Sequence, residues 1–408
     1  MKGFKFFVSF FVLFFEFSFC FPGNHEIDIS SAFPGGNIKV DSMKADTVWL
    51  RPEQRDTDTS LGKWFYWYFA VKPNNEKSVT FVFNQDDVFA AFNPAVSYDQ
   101  GKTWEWLAFV DVEDRAFTYH FNGDQDELRF SMAMPYTERN YERFLTPFQQ
   151  RSFLYSDTLC ITNENRDVEL LRIIDKNTRP QYTIVFTARH HACEMMANYV
   201  MEGIIQAVIK EYQSHKWVRQ NVQFLFIPFV DKDGVENGDQ GKLREPHDHN
   251  RDYYGKSLYE EVSAIKEKLP VYSQGTQLMA FDLHCPYIAY EANERIFFIG
   301  HSLEKISRKQ RSYMKILDQH QEGPLKFDPS FYAAFGKGWN NYTLEQAYEN
   351  KKLSFTQWIV SLDNLSFVTT LEFPYSNNLG QKITPEKARL FGKDMFVALK
   401  DYLLNHNN

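Results

Sequence analysis

Two neighbouring histidines and a nearby glutamate form the part of the sequence best suited to metal chemistry. They lie in TARHHACEMMANYVMEGII, residues 187–205. His191 and Glu194 have the spacing H-x-x-E. Residues three apart share one face of a helical turn, so an imidazole and a carboxylate can converge on one point. His190 is rotated away by one residue. A polar turn that connects a strand to a helix is the alternative interpretation.

A third metal ligand would have to come from another part of the chain, because a catalytic zinc ion usually has three protein ligands and one open position. The sequence FDLHCP places His284 at the end of an apolar run, and ligand sites gather at strand ends in open α/β sheets. A histidine that only caps a strand is the alternative. A second metal pair, His247-x-His249, is disfavoured because Arg244 and Arg251 beside it would repel a cation.

Two further segments carry groups that suit substrate binding and proton transfer. In the polar loop of residues 238–256, Arg251 can bind a carboxylate at two points and Asn250 adds a donor beside it. Lys242, in the same loop, is interpreted as a solvated residue. Glu372 stands among apolar residues in VTTLEFPYS, where burial would raise its pKa toward the range of a general base. A structural ion pair with an arginine is the alternative for Glu372.

The elements that must position these residues fall into two regions. Residues 25–152 contain short aromatic and β-branched runs separated by turns, which predict a small antiparallel β-sandwich. Residues 155–405 contain continuous apolar strands alternating with helical patterns, which predict an α/β domain. The apolar runs of this second region are YTIVFTA (182–188), VQFLFIPFV (222–230), LMAFDLH (278–284) and FVTTLEF (367–373).

Composition limits the class of protein. The 408 residues are 43% hydrophobic, 24% charged and 17% aromatic, which is typical of a globular chain. The formal net charge of −8 gives no general attraction to phosphate backbones, so we expect no nucleic-acid partner.

The N-terminus has the pattern of an export signal. Residues 1–22 place two lysines before a ten-residue apolar block, 6–15, which is too short to span a membrane. We therefore expect export to a periplasm or to the exterior, with membrane attachment only if Cys20 is lipidated. Cys193 and Cys285 are interpreted as small core residues near the site; a disulfide between them is the alternative.

Four segments occur in an order that resembles the zinc metallocarboxypeptidases. They are ARHHACE, GDQGKLREPHDHNRDY, DLHCP and TLEFPYS. The resemblance is to the branch around the cytosolic carboxypeptidases, in which a β-sandwich precedes the catalytic domain, and it extends from about residue 45 to the C-terminus. It implies a mixed, largely parallel central sheet flanked by helices. It also implies one zinc ion per chain, with His191, Glu194 and His284 as its ligands.

The same resemblance implies a function and further site residues. The function is zinc-dependent hydrolysis of the C-terminal peptide bond of peptides or proteins, with Glu372 as general base and Arg244 as the residue that stabilises the oxyanion. The residues implied to bind substrate are Asn250, Arg251, Tyr348 and Thr356.

Two alternatives to a carboxypeptidase stay open at the level of sequence. One is a deacylase of N-acyl amino acids on the same fold, against which the long β-rich N-terminal half and TLEFPYS argue. The other is a non-catalytic binding protein, because SYDQGKTW (97–104) fits a hairpin motif of secreted β proteins. The complete set of ligand and base candidates argues against a degenerate enzyme.

Overall fold

The computed structural model describes residues 27–405 apart from 56–62, 75, 93, 108–111, 114, 124 and 289–292. The predicted signal segment 1–22, with Cys20, lies outside the described residues. The strands are β1 (Asp28–Ser30), β2 (Lys39–Lys44), β3 (Thr47–Arg51), β4 (Tyr68–Lys72), β5 (Ser78–Phe83), β6 (Ala95–Ser97), β7 (Glu105–Trp106), β8 (Val112–Glu113), β9 (Ala116–His120), β10 (Leu128–Ser131), β11 (Leu154–Ile161), β12 (Asp167–Ile173), β13 (Tyr182–Ala188), β14 (Val222–Ile227), β15 (Gln277–His284), β16 (Phe297–Ile299), β17 (Leu365–Glu372), β18 (Asn377–Asn378) and β19 (Gln381–Lys382). The helices are α1 (Glu138–Leu145), α2 (Met196–Ser214), α3 (Lys216–Asn221), α4 (Lys232–Asn237), α5 (Glu260–Tyr272), α6 (Glu304–His320), α7 (Leu344–Glu349), α8 (Phe355–Ile359) and α9 (Pro385–Asn405).

The N-terminal half forms two facing five-stranded sheets with the orders β1-β4-β10-β6-β7 and β2-β3-β5-β9-β8. Apolar and polar residues alternate along β5, where every second side chain is buried, as expected for strands with one face on a core. The sheets meet through aromatic pairs: the ring centroids of Phe69 and Phe81 lie 5.4 Å apart, as do those of Phe117 and Phe130. The pairing is antiparallel except between β3 and β5, which run parallel.

The C-terminal half is built on a seven-stranded mixed sheet with the order β11-β12-β14-β13-β15-β17-β16. Its four central strands, β14, β13, β15 and β17, are parallel, and the outer strands pair antiparallel. Every residue of β13 and β14 is buried, because helices cover both faces of the sheet. The predicted fold class, a mixed α/β sheet flanked by helices and preceded by an antiparallel β region, is confirmed.

Helices α2 and α9 pack unusually closely on one side of this sheet. A Cβ atom added to Gly203 would lie 1.9 Å from the carbonyl oxygen of Arg389, and one added to Gly392 would lie 2.1 Å from that of Val200. Each glycine therefore allows the two backbones to approach where any larger residue would separate them. No described helix is both long and apolar enough to cross a bilayer.

The sandwich holds one side of the polar loop of residues 238–256. The backbone N–H of Phe65 donates to Oε1 of Gln240 at 2.6 Å, and Asn37 Nδ2 donates to the carbonyl oxygen of Gly238 at 2.8 Å. Because both contacts are buried, the N-terminal half fixes the start of the loop that the sequence assigns to substrate binding.

Candidate metal centre and substrate cleft

The carboxyl ends of three parallel strands bring the sequence motifs to one edge of the sheet. β13 ends at Ala188, three residues before His191, and Ala188 pairs with Leu283 at the end of β15. The last residues of β15 and β17, His284 and Glu372, are direct partners across the strands. Parallel strands place their carboxyl ends side by side, so segments about 90 residues apart in the chain meet here.

The three predicted metal ligands converge. Nδ1 of His191 lies 2.9 Å from Oε1 of Glu194, and Nδ1 of His284 lies 2.7 Å from Oε2 of the same carboxylate. One donor atom from each of the three residues lies within 4.8 Å of the others. Glu194 and His284 are buried, so two imidazoles and a carboxylate face one point in a largely dry site.

The chemistry of this donor set fits zinc. The ring nitrogens that point away from the cluster face carboxylates. His284 Nε2 lies at hydrogen-bond distance, 2.7 Å, from Asp282 Oδ2, whereas His191 Nε2 lies 3.6 Å from Asp248 Oδ1, too far for a hydrogen bond. Zinc-binding histidines usually donate their second N–H to a carboxylate, as His284 can to Asp282, and this fixes the tautomer that leaves the other nitrogen for the metal. Neither carboxylate was singled out from the sequence.

His190 belongs to a buried hydrogen-bond network beside the cluster. Its Nδ1 lies 2.8 Å from Asp282 Oδ1 and its Nε2 lies 2.8 Å from the hydroxyl of Tyr253. His190, Asp282 and His284 also lie close enough to be considered as a metal group. However, both ring nitrogens of His190 already have partners, and Asp282 also accepts from Thr187, so this group is better explained as support for His284.

Glu372 has the environment of a general base. Burial raises the pKa of its carboxyl group to about 7, although the positive charges of His284 and Lys242 oppose the increase. Its Oε2 atom is buried without a hydrogen-bond partner, and the residue lines the cleft next to His191 and His284. A buried carboxylate oxygen with no partner is costly, and a water or substrate group would satisfy it.

Lys242 reaches the metal cluster, contrary to its interpretation as a solvated loop residue. Its Nζ lies 2.5 Å from Glu194 Oε1 and donates to the carbonyl oxygen of Cys285 at 2.9 Å. Burial alone would lower its pKa, but the Glu194 carboxylate outweighs burial and raises the pKa above the usual lysine range. No local feature of the sequence distinguishes this lysine from an exposed one.

Two predicted site residues lie elsewhere. The Arg244 guanidinium binds two carboxylates, with NH1 2.8 Å from Asp231 Oδ2 and NH2 3.3 Å from Asp239 Oδ2. The Tyr348 side chain is 44% exposed, and its ring makes an edge-to-face contact with the ring of Tyr254. Neither residue is among the described residues that line the cleft. Both side chains have their contacts outside the cleft.

Asn250, Arg251 and Thr356 do line the cleft, which has a volume of about 450 Å³. Asn250 is oriented by the neighbouring backbone: its Oδ1 accepts from the backbone N–H of Phe355 at 2.9 Å. Its Nδ2 lies 3.2 Å from His284 Nε2, which cannot accept from it when that nitrogen donates its proton to Asp282. Arg251 donates from NH1 to the carbonyl oxygen of Asn250. The donors predicted to bind a carboxylate therefore lie in the same cleft as the metal cluster.

The buried cysteines near the cluster are separate thiols. Cys193 and Cys285 are both free and fully buried, and the Cys193 Sγ atom lies 3.6 Å from the hydroxyl of Tyr375. They act as small core residues, as the sequence favoured, and no disulfide joins them.

Candidate metal donors, a buried carboxylate and a cleft lined by Arg251 lie together at the strand ends of a mixed sheet, and comparisons with known proteins show what this chain is similar to. Residues 142–275 match the family model of zinc carboxypeptidases, peptidase M14. The chain is 24% identical over 338 residues to cytosolic carboxypeptidase 6 of Caenorhabditis elegans, covering 76% of this chain and 72% of that protein.

Two solved structures share the fold over nearly the whole chain. A metallo-carboxypeptidase from Burkholderia cenocepacia has a TM-score of 0.74 and 18% identity, and the match covers 93% of this chain and 99% of that one. A metallo-carboxypeptidase from Pseudomonas aeruginosa, in complex with (2-guanidinoethylmercapto)succinic acid, has a TM-score of 0.71 and 18% identity, with 92% and 100% covered. The predicted resemblance to zinc metallocarboxypeptidases, and the prediction of an enzyme of this class, are confirmed.

Proposed function

We propose that the protein removes the C-terminal residue from peptides or proteins, with one zinc ion held by His191, Glu194 and His284. One observation carries the proposal. Two of the three candidate ligands, His191 and His284, line a single cleft together with Arg251 and with Glu372, whose Oε2 is buried without a hydrogen-bond partner. A peptide that binds Arg251 by its terminal carboxylate would bring its last peptide bond toward the cluster and the base.

Glu372 would move the protons of the reaction. Zinc held by the three ligands would lower the pKa of a bound water and polarise the carbonyl group of the scissile bond. Glu372 Oε2 takes a proton from the attacking water as the water oxygen bonds to the carbonyl carbon. The same carboxyl group then gives that proton to the amine nitrogen as the carbon–nitrogen bond breaks. A pKa raised toward neutrality by burial suits a group that must both accept and release a proton.

Asn250 and Arg251 would restrict the reaction to chain ends. Both lie where donors can reach the free carboxylate of a bound peptide, and the Asn250 side chain is already oriented by the Phe355 N–H. An amidated or internal peptide group offers no anion to this pair. We therefore expect an exopeptidase rather than an endopeptidase.

The side-chain subsite would favour a hydrogen-bond acceptor. His301, 9% exposed, lines the cleft together with Thr356, Gln357 and Thr370. Its Nδ1 accepts from the backbone N–H of Leu303 at 3.0 Å, which puts the ring proton on Nε2. That Nε2 atom is buried without a hydrogen bond of full geometry, and the backbone of Thr356 acts on the ring from nearby. A C-terminal side chain with an oxygen acceptor would satisfy it.

Mass spectrometry of a mixed peptide pool incubated with the zinc-loaded protein tests the proposal. We expect loss of single residues from free C-termini and no change in C-terminally amidated peptides. A zinc chelator should abolish the reaction, and Glu372→Gln should lower kcat by about 10²–10⁴-fold while retaining zinc, because the amide keeps the size but cannot take a proton. Intact peptides in every sample, with zinc present, would refute peptide trimming.

The same assay distinguishes the two alternatives. Turnover of a small N-acylated amino acid without peptide cleavage would indicate a deacylase. Zinc binding with turnover of neither substrate would indicate a non-catalytic binding protein. The retention of three ligands, a base and a carboxylate-binding pair supports an enzyme over a binder.

We also propose that the protein is exported, on the basis of the lysines and apolar block of residues 1–22. Extracytoplasmic peptides would then be its substrates. The intact mass of the protein purified from its native cells provides the test. A chain shortened near residue 22, or carrying a lipid on Cys20, would support export, and a chain that begins at Met1 would refute it.

A further inference from the structure

A lysine ammonium lies inside the candidate metal centre. Lys242 Nζ is 2.5 Å from Glu194 Oε1 and 2.9 Å from the carbonyl oxygen of Cys285, to which it donates. Its side chain is only 15% exposed. Removing an ammonium group from water costs several kcal/mol unless close partners compensate. The folded protein therefore offsets a desolvation cost with close contacts that keep this positive charge beside the ligand cluster.

The backbone on both sides of Lys242 fixes its direction. Gly241 has φ of +74° and Leu243 has φ of +58°, and the left-handed region is uncommon for a leucine. A Cβ atom on Gly241 would lie 2.4 Å from the backbone nitrogen of Ala192. The loop is thus packed directly against the segment that carries His191 and Glu194, and only glycine permits this approach.

The arginine implied for oxyanion stabilisation is committed elsewhere. Arg244 is 8% exposed and its guanidinium binds Asp231 and Asp239, so moving it to the cluster would leave the buried Asp231 carboxylate without its main counter-charge. Lys242, two residues earlier, provides a cation at the cluster without any rearrangement.

We propose that Lys242, rather than Arg244, stabilises the negative charge that develops on the carbonyl oxygen of the scissile bond. This proposal rests on the proposed carboxypeptidase function. As the water oxygen bonds to the carbonyl carbon, the carbonyl π electrons move to the oxygen and Lys242 donates a hydrogen bond to it. When the carbon–nitrogen bond breaks, the carbonyl re-forms, the amine leaves with the proton delivered by Glu372, and the charge on the oxygen is lost. Lys242 keeps its own protons throughout.

The variant Lys242→Met tests this role, because methionine preserves much of the side-chain length and removes the charge. Lys256→Met is the matched control: Lys256 is an exposed lysine in the same polar loop. Neither lysine is among the described residues that line the cleft, and Lys242 differs by its contact with Glu194. Six quantities are measured: zinc affinity by chelator competition, the melting temperature, kcat and KM on a dipeptide substrate, and the affinities for the corresponding phosphonate dipeptide and for the reaction products. The phosphonate carries a tetrahedral anion that resembles the transition state.

We expect Lys242→Met to lower kcat about 10²–10³-fold, the range found when one oxyanion donor is removed. The phosphonate affinity should fall by a similar factor, while KM, zinc affinity and the affinity for the reaction products stay within about threefold of wild type. Lys256→Met should match wild type in every measurement.

Several outcomes would overturn the assignment. Lys242→Met could lose zinc or unfold, and Lys242→Arg, which keeps the charge, is then the informative variant. If Lys242→Arg binds the phosphonate no better than the product, the lysine only positions Glu194. Unchanged phosphonate affinity in a folded, zinc-loaded Lys242→Met also refutes the role. Absence of hydrolysis by the wild type, with phosphonate binding that still depends on Lys242, would instead refute the carboxypeptidase reaction and leave the anion-binding role intact.

Discussion

Replacing Arg244 should destabilise the fold rather than remove a catalytic group. The Arg244 NH1 atom lies 2.8 Å from Asp231 Oδ2, and Asp231 is 1% exposed. Arg244→Met leaves that carboxylate buried without its main counter-charge, and breaking a buried pair from one side costs about 3–5 kcal/mol. Unfolding entropy of about 2.1 cal/mol/K per residue, over 408 residues, gives a slope of about 0.9 kcal/mol/K. We therefore expect the melting temperature of the zinc-loaded protein to fall by about 4–6 °C.

The loss should depend on pH in a defined direction. Burial raises the pKa of Asp231, but Arg244 and His249 outweigh burial and hold it below its usual value. A carboxyl group with a depressed folded-state pKa contributes stability above its unfolded pKa, near about 3.9, and loses that contribution as the pH falls through the folded pKa. The difference between wild type and Arg244→Met should therefore be largest at neutral and higher pH and shrink as the pH falls. It shrinks first as the uncompensated Asp231 of the variant takes up a proton, and then, below about pH 4, as the wild type loses its own contribution.

Thermal unfolding by circular dichroism, together with kcat measured below the transition, provides the assay. The double variant Arg244→Met with Asp231→Asn should recover part of the lost stability, because it removes the uncompensated charge. A melting temperature within 1 °C of wild type combined with a kcat lowered about 100-fold would refute this reasoning. That result would indicate that Arg244, and not Lys242, stabilises the negative charge on the carbonyl oxygen of the scissile bond.

Three further substitutions probe other parts of the structure. Asp282→Asn removes the carboxylate 2.7 Å from the outer nitrogen of a candidate ligand and should weaken zinc binding about 10–100-fold by chelator competition; unchanged affinity would refute its supporting role. Gly203→Ala drives a methyl group into the Arg389 carbonyl oxygen and should cost about 1–3 kcal/mol in urea unfolding, whereas Gln206→Ala on the exposed side of the same helix should be nearly neutral. His301→Leu should lower kcat/KM for peptides that end in acceptor side chains by about 5–100-fold, because the buried Nε2–H is worth about 1–3 kcal/mol. An equal loss for peptides that end in leucine would contradict that subsite.

Much of the fold follows from residue patterns along the chain. Continuous apolar runs predicted the buried parallel strands, and β13 and β17 end at or next to the predicted residues. Residues 197–212, in which apolar positions recur at helical spacing, fall within α2, and Pro385 stands at the start of α9. The parallel β3–β5 pair in the N-terminal half was not predicted, because strand direction depends on how distant hairpins meet, and alternation along a strand carries no such information.

The sequence by itself determined which residues could form the metal cluster. The H-x-x-E spacing fixes His191 and Glu194 on one turn by local geometry, and a histidine at the end of a buried strand can reach the same edge of a parallel sheet. These relations depend on residue spacing and on the continuous apolar runs that indicate strands buried on both faces, and both are properties of short segments.

Only the tertiary structure decided which cation lies at the cluster. Lys242 and Arg244 are two residues apart in a loop without periodic structure, and the left-handed backbone at Gly241 and Leu243 turns one toward Glu194 and the other toward Asp231. The same applies to Asp282 and Asp248, whose contacts with the histidines exist only once the strands and the loop have packed together. Loop dihedrals and long-range packing set these directions, and no local pattern of residue types records them.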